Sequence, residues 1–119
     1  MLVVVMEEIS CLLIQIVTSQ SHEEITQTQE RLDAYNMSPE FVYLICEIVA
    51  NAENDDNLRL SAEIYLTVKC QNAWESIPEE SKKFIFENFP NLFVNANDQM
   101  LSYFAKLSYI LSVRGYVHV

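Results

Sequence analysis

One stretch, RLSAEIYLTVKCQNAW from Arg59 to Trp74, constrains the fold more than any other part of the chain. It is as long as a helix, lacks Gly and Pro, and closes on the only tryptophan. At helical spacing Leu58, Ala62, Tyr65, Leu66, Lys69 and Ala73 form one row, and Leu60, Ile64, Val68 and Gln71 form a second beside it. A helix lying on a surface needs a single apolar stripe; a helix with two adjacent rows calls for neighbours on more than one side. Wedged helices of this kind are what a stack of helical pairs produces.

Five further segments share the helical periodicity. In the first, about residues 6–18, Ile9, Leu12, Leu13, Ile16 and Val17 make one face. Ser21 with Glu24 three residues on forms a capping box for a second helix, whose apolar face of Ile25, Leu32 and Tyr35 is weak. Ser38-Pro39-Glu40 supplies a cap, a proline at the first helical position and an acid near the positive end of the dipole; the helix it opens carries Phe41, Leu44, Ile45, Ile48 and Val49. The polar break at 52–57 caps the Arg59–Trp74 helix. Ser76-Ile77-Pro78-Glu79 repeats the cap-and-proline device for a fifth helix bearing Phe84, Ile85, Phe89, Leu92 and Phe93, which Pro90 is expected to kink or end near Phe89. Asn97 or Asp98 caps a sixth, striped by Met100, Phe104, Leu107 and Leu111 with Leu101, Ala105 and Ile110 alongside, and Gly115 stands where a C-terminal cap belongs.

The odd helices start near residues 6, 39 and 78 and the even ones near 22, 57 and 97. Both series advance by roughly 33 to 40 residues, the period of HEAT and armadillo pairs. The expected fold is all-α: an α-solenoid of about three HEAT-like pairs in one domain over residues 1–119, with the even helices as the inner row. A six-helix bundle of regular spacing fits the same pattern. One Gly and three Pro among 119 residues argue against a turn-rich β fold.

Seventeen acidic residues against seven basic leave a formal charge of -10, which repels nucleic acid and anionic membranes and suits basic partners or plain solubility. The N-terminal MLVVVM lacks a basic region and is soon interrupted by Glu7 and Glu8, so it does not read as a signal peptide. Cys11, Cys46 and Cys70 sit in apolar helical patterns without CxxC spacing and read as buried reduced thiols of an intracellular protein rather than a disulfide or zinc site. His22 stands near a helix start and His118 next to the last residue, poor places for a general base. The pairs Glu7-Glu8, Glu23-Glu24 and Glu79-Glu80 suit first helical turns better than acid–base chemistry. Asn54 to Asn57 lacks the glycine and distal glutamate of a calcium loop. No enzyme, metal or cofactor is expected. Trp74 reads as a packing residue between repeats, or as an exposed anchor for a partner. Tyr103, Lys106 and Tyr109 give the last helix a face of mixed character.

The helix patterns resemble the N-terminal domain of the importin-β (karyopherin) superfamily across nearly the whole chain. Leu32 matches that family's second helix; Pro39, Phe41, Leu44 and Ile48 its third; Arg59, Ala62, Leu66 and Trp74 its fourth; Lys82 and Ile85 its fifth; and Ile110, Leu111 and Tyr116 its sixth. The family's Lys-Asn pair falls on Thr67-Val68, with Lys69 beside it. The resemblance implies the N-terminal module of a nuclear transport receptor of importin or exportin type, working in nucleus and cytoplasm. Its implied partners are a Ran-type small GTPase in the GTP form and, in a longer receptor, a protein cargo. Exposed positions on the even helices are the candidate contacts: Gln27, Glu30, Glu63, Thr67, Gln71, Tyr103 and Lys106. The alternative is a stand-alone acidic helical adaptor for a basic peptide or protein. In either case the last helix presents an apolar flank that awaits a cover from further chain, a partner or a second copy.

Overall fold

The computed structural model describes residues 2–114, with side chains from Val5 onward. The described residues form six α-helices, α1 (Leu2–Thr18), α2 (His22–Asp33), α3 (Pro39–Ala50), α4 (Asp56–Asn72), α5 (Glu79–Phe93) and α6 (Asp98–Arg114), and no strand. The expected cap at Gly115 and the family position at Tyr116 lie outside them.

Local chemistry starts most of these helices where the sequence places the caps. The hydroxyls of Ser21 and Ser38 accept from the amides of Glu24 and Phe41, and the Asp55 carboxylate accepts from Asn57. Asn97 Oδ1 accepts from the Met100 amide at 3.0 Å. Each satisfies a donor that the first helical turn leaves open. The turn between α2 and α3 puts Asn36 and Met37 at φ of 56° and 50°. Asn tolerates that region, but Met does so at a cost of roughly 1–2 kcal/mol. Met37 is held there by burial and by the buried Ser81 hydroxyl, which donates to its carbonyl at 2.7 Å.

Two details at α5 differ from the sequence pattern: the cap and, of the kink or end expected at Pro90, the end. Ser76 does not cap it: Trp74–Ser76 forms a short 3₁₀ turn that buries Trp74 and delivers buried Ile77, and Pro78 becomes the N-cap with no side-chain bond. Nor does Pro90 end the helix, which continues to Phe93. Packing overrides the lost amide donor. Leu92 is buried, and Phe93 lies 4.5 Å, ring to ring, from Phe104 of α6. Asn88 Nδ2 also donates to the Phe84 carbonyl within the same stretch.

The arrangement is solenoid-like. α3 and α5 pack side by side as one row, α4 and α6 as another, and α4 also packs on α3 and on α1. The helix that ends at the lone tryptophan is therefore the wedged one. The first pair departs from the expected register, since α1 rather than α2 is α4's main neighbour there. Composition explains the choice. α2 buries only Thr28 and Leu32, whereas α1 supplies fully buried Ile9, Leu12 and Leu13. Small Ser61 lets α1 approach closely, and its hydroxyl donates to the Leu13 carbonyl at 2.8 Å in the buried contact.

Candidate protein-binding surface

The faces of α4 decide what is left for a partner. Ala62 and Leu66 of the first row carry the apolar contact, together with Cys70, which neither row contains. Most of the second row stays out of the core: Leu60 packs against it, but Val68 is 41 % exposed and Gln71 is at the surface. A polar ridge is buried in its place, Arg59, Glu63 and Thr67 at four-residue spacing, together with Ser61. Arg59 Nε donates to the Val49 carbonyl at 3.0 Å and Nη2 to the Asn95 carbonyl at 2.7 Å. One guanidinium thus ties the end of α3 to the loop ahead of α6 and satisfies carbonyls that a helix end leaves open. Asn95 Nδ2 and Asn54 Nδ2 serve Ala50 and Ile48 in the same way. At the far end of α4, Arg114 of α6 donates to the Gln71 carbonyl at 2.6 Å.

Glu63 and Thr67 were expected at the surface. They are 0 % and 1 % exposed, so neither is accessible to a partner. The cause is the lateral packing of α6 on α4, which claims the side of the helix that a polar sequence assigns to water. Thr67 bonds back to the Glu63 carbonyl at 2.8 Å. Neither carboxyl oxygen of Glu63 has a hydrogen-bond partner among the described residues. Burial pushes this acid up to about 8, against the opposing pull of Arg59, so it is largely protonated at neutral pH.

The other five candidates stay within reach of solvent. Gln27 and Glu30 are exposed on α2, Gln71 on α4 and Lys106 on α6, while Tyr103 is half-buried. They are not gathered at one point, because α2 packs mainly on α1 and α6 on α4. Trp74 is 6 % exposed, edge-on to Phe86 at 6.1 Å, with Lys82 Nζ over its ring at 5.1 Å. It packs between α4 and α5 and presents no anchor.

A groove between α1, α2 and α4 escaped the sequence reading. About 290 Å³ in volume, it is lined by Ile16, Val17, Ile64 and Val68, with Asp33, Tyr65 and Lys69 at its polar edge. Asp33 accepts from Tyr65 Oη at 2.7 Å and pairs with Lys69 Nζ at 2.6 Å. Burial and this carboxylate together raise the Tyr65 phenol well above its usual range. The only signals in the sequence were the four-residue step from Tyr65 to Lys69 and an apolar Val68 that the core did not need.

Of the three cysteines expected to be buried, Cys46 and Cys70 are, whereas Cys11 is exposed, because it lies on the side of α1 away from buried Ile9, Leu12 and Leu13. Burial pushes the Cys46 and Cys70 thiols up to about 12, which removes the thiolate a nucleophile needs. Among the described residues no group of three or more His, Cys, Asp or Glu could hold a metal ion, and no helix is long and apolar enough to cross a membrane.

Comparison with known families matches residues 28–94, from the middle of α2 through the end of α5, to the importin-β N-terminal domain. The chain belongs to this family. No curated protein and no solved structure matches it. The matched span contains the buried elements on which the importin-β resemblance rested: Arg59 as the tie between layers, Ala62 and Leu66 in the core, and Trp74 beneath Lys82. The family's Lys-Asn pair is replaced here by a buried threonine and a valine at the groove, with Lys69 committed to Asp33.

Proposed function

We propose that this chain is the N-terminal module of a nuclear transport receptor and binds a Ran-type GTPase in its GTP form. The observation that carries this reading is the family match across α2 to α5; binding the GTP-loaded GTPase is what that family's first repeats do. The activity is differential binding. A module that favours one nucleotide state of its partner couples that state to whatever else it holds, and by linkage the coupling is reciprocal. Nucleus and cytoplasm are the compartments this role requires, and cargo would be held by a longer receptor.

Gln27, Glu30, Gln71, Tyr103 and Lys106 remain the proposed contacts on the even helices; Glu63 and Thr67 are withdrawn. The test is a titration of the chain with GTP-loaded and GDP-loaded GTPase. A preference of about 100-fold for the GTP form, roughly 2.7 kcal/mol, supports the reading, and equal or absent binding of both forms contradicts it. The net charge of -10 favours a second reading, an acidic adaptor for basic peptides. That reading expects binding that ignores the nucleotide and falls steeply with salt.

A further inference from the structure

α2 and α3 are both twelve residues long, yet α3 buries seven of them and α2 only Thr28 and Leu32. Thr28 turns its hydroxyl back on its own helix, 2.8 Å from the Glu24 carbonyl. Little apolar burial therefore holds α2 down, and segments of that kind open first in a native protein. On the side toward α4 lies the apolar groove, lined by Gln29 and Asp33 from α2 and by Ile64 and Val68 from α4. Among the described residues, the polar contacts between α2 and α4 are those of the Asp33 carboxylate with Tyr65 Oη and Lys69 Nζ. The same three side chains wall a second hollow of about 270 Å³, which reaches on to Met37 and Ile77. They are the partition between the two hollows. Asp33 is also placed against the preference of its own helix. It is the last residue of α2, where the macrodipole disfavours a negative charge. Beyond it the chain turns through Asn36 and Met37 at positive φ, and buried Met37 is fixed by the Ser81 hydroxyl.

We propose that α2 is a strap that opens while α3 to α6 stay folded, and that Asp33 is the latch that shuts it against α4. An ion pair at a protein surface is worth little by itself. Two features strengthen this one. The Lys69 side chain is only 24 % exposed. The carboxylate also accepts from the Tyr65 phenol at 2.7 Å, and a hydrogen bond to a charged acceptor is roughly twice as strong as a neutral one. The other ion pair on α2, Arg31 with Glu8, has neither feature: it spans 3.8 Å between side chains 63 % and 47 % exposed. With the strap open the partition goes, and the two hollows run together into one trough along α4. Gln27 and Glu30 ride on the strap. The latch therefore also sets where two of the proposed GTPase contacts stand; that consequence rests on the GTPase reading, and the strap itself does not.

Native-state amide exchange of the 119-residue chain, read residue by residue, tests both parts. The α2 amides are expected to exchange through a local opening, at least about tenfold faster against their intrinsic rates than the core amides of α3 and α4. Asp33→Ala should speed α2 by about fivefold or more and leave α3 and α4 within about twofold. Both the macrodipole and helix propensity favour alanine at that position, so without a latch the variant would slow α2 instead. Tyr65→Phe keeps the ring against Phe41 and loses only the hydroxyl; it should speed α2 by about threefold. Arg31→Gln should leave α2 within about twofold. Raising salt from about 20 to about 500 mM should speed α2 in the parent chain and not in Asp33→Ala, because it screens the Asp33–Lys69 pair. Exchange of α2 only through global unfolding overturns the strap. An Asp33→Ala variant that leaves α2 unchanged or slower, or that speeds α3 and α4 equally, overturns the latch.

Discussion

α4 and α6 are helices of equal length, 17 residues each, packed side by side. They treat their side chains in opposite ways. α4 buries Arg59, Ser61, Glu63 and Thr67, while α6 exposes Leu101, Tyr109 and Val113. Residue type alone predicts the reverse. α4 has neighbours on several sides and α6 chiefly on one, so position in the stack, more than composition, sets what is covered. In a stacked array each layer is finished by the next: the polar ridge of α4 is closed by α6, and nothing among the described residues closes α6.

Substitutions can break or sharpen this contrast. The largest effect belongs at the centre of α4. Leu66 is 1 % exposed, and Leu66→Ala should cost about 3 kcal/mol in chemical denaturation through lost contacts and the cavity left behind. Arg59→Ala comes next, at about 2–3 kcal/mol, because it strips the buried carbonyl of Val49 and the part-buried one of Asn95 of a charged donor. If Arg59→Ala proves harmless, the polar ridge is not holding the layers together.

Glu63 gives a signed pH dependence. Its pKa is raised from 4.5 to about 8 in the folded chain, so between those values the native state keeps a proton that the unfolded state has released. Its contribution to stability is therefore fully present below 4.5 and lost as pH rises toward 8, at up to about 1.4 kcal/mol per pH unit, then flat. Glu63→Gln should remove that slope and raise stability at pH 8 by about 1 kcal/mol or more, measured by urea unfolding across the pH range. A variant with an unchanged slope would mean the carboxyl is not buried alone. The smallest effect belongs on α6, where Leu101→Ser should change unfolding free energy by less than about 0.5 kcal/mol at dilute concentration.

Much of the fold was legible because it is written locally. Ser21, Ser38, Asp55 and Asn97 act as caps within three residues of their partners, and the stripe of α3 needs only its own periodicity. α4 is wedged, as its two rows suggested, but the further side it buries is the polar ridge of Arg59, Glu63 and Thr67 rather than the second row. The rows did not say which neighbour takes which side, and so Glu63 and Thr67 were assigned to water. That choice depends on α6, more than thirty residues further on, and on Arg59 reaching Asn95. That α5 runs on past Pro90 was illegible for the same reason: the ring contact of Phe93 with Phe104 that holds the last turn crosses between helices. The groove was hidden because Asp33 meets Tyr65 and Lys69 across separate pairs. Of the candidate surface, the sequence located the helices but not the exposure of each position.

The claim beneath all of this is that α4 is the middle of the stack. Native-state amide hydrogen exchange tests it directly. The account predicts that the amides of residues 62–70 exchange only through global unfolding, with those of α2 and the last turns of α6 opening at clearly lower free energy. Amides of α4 that exchange as readily as those of α2 would contradict it.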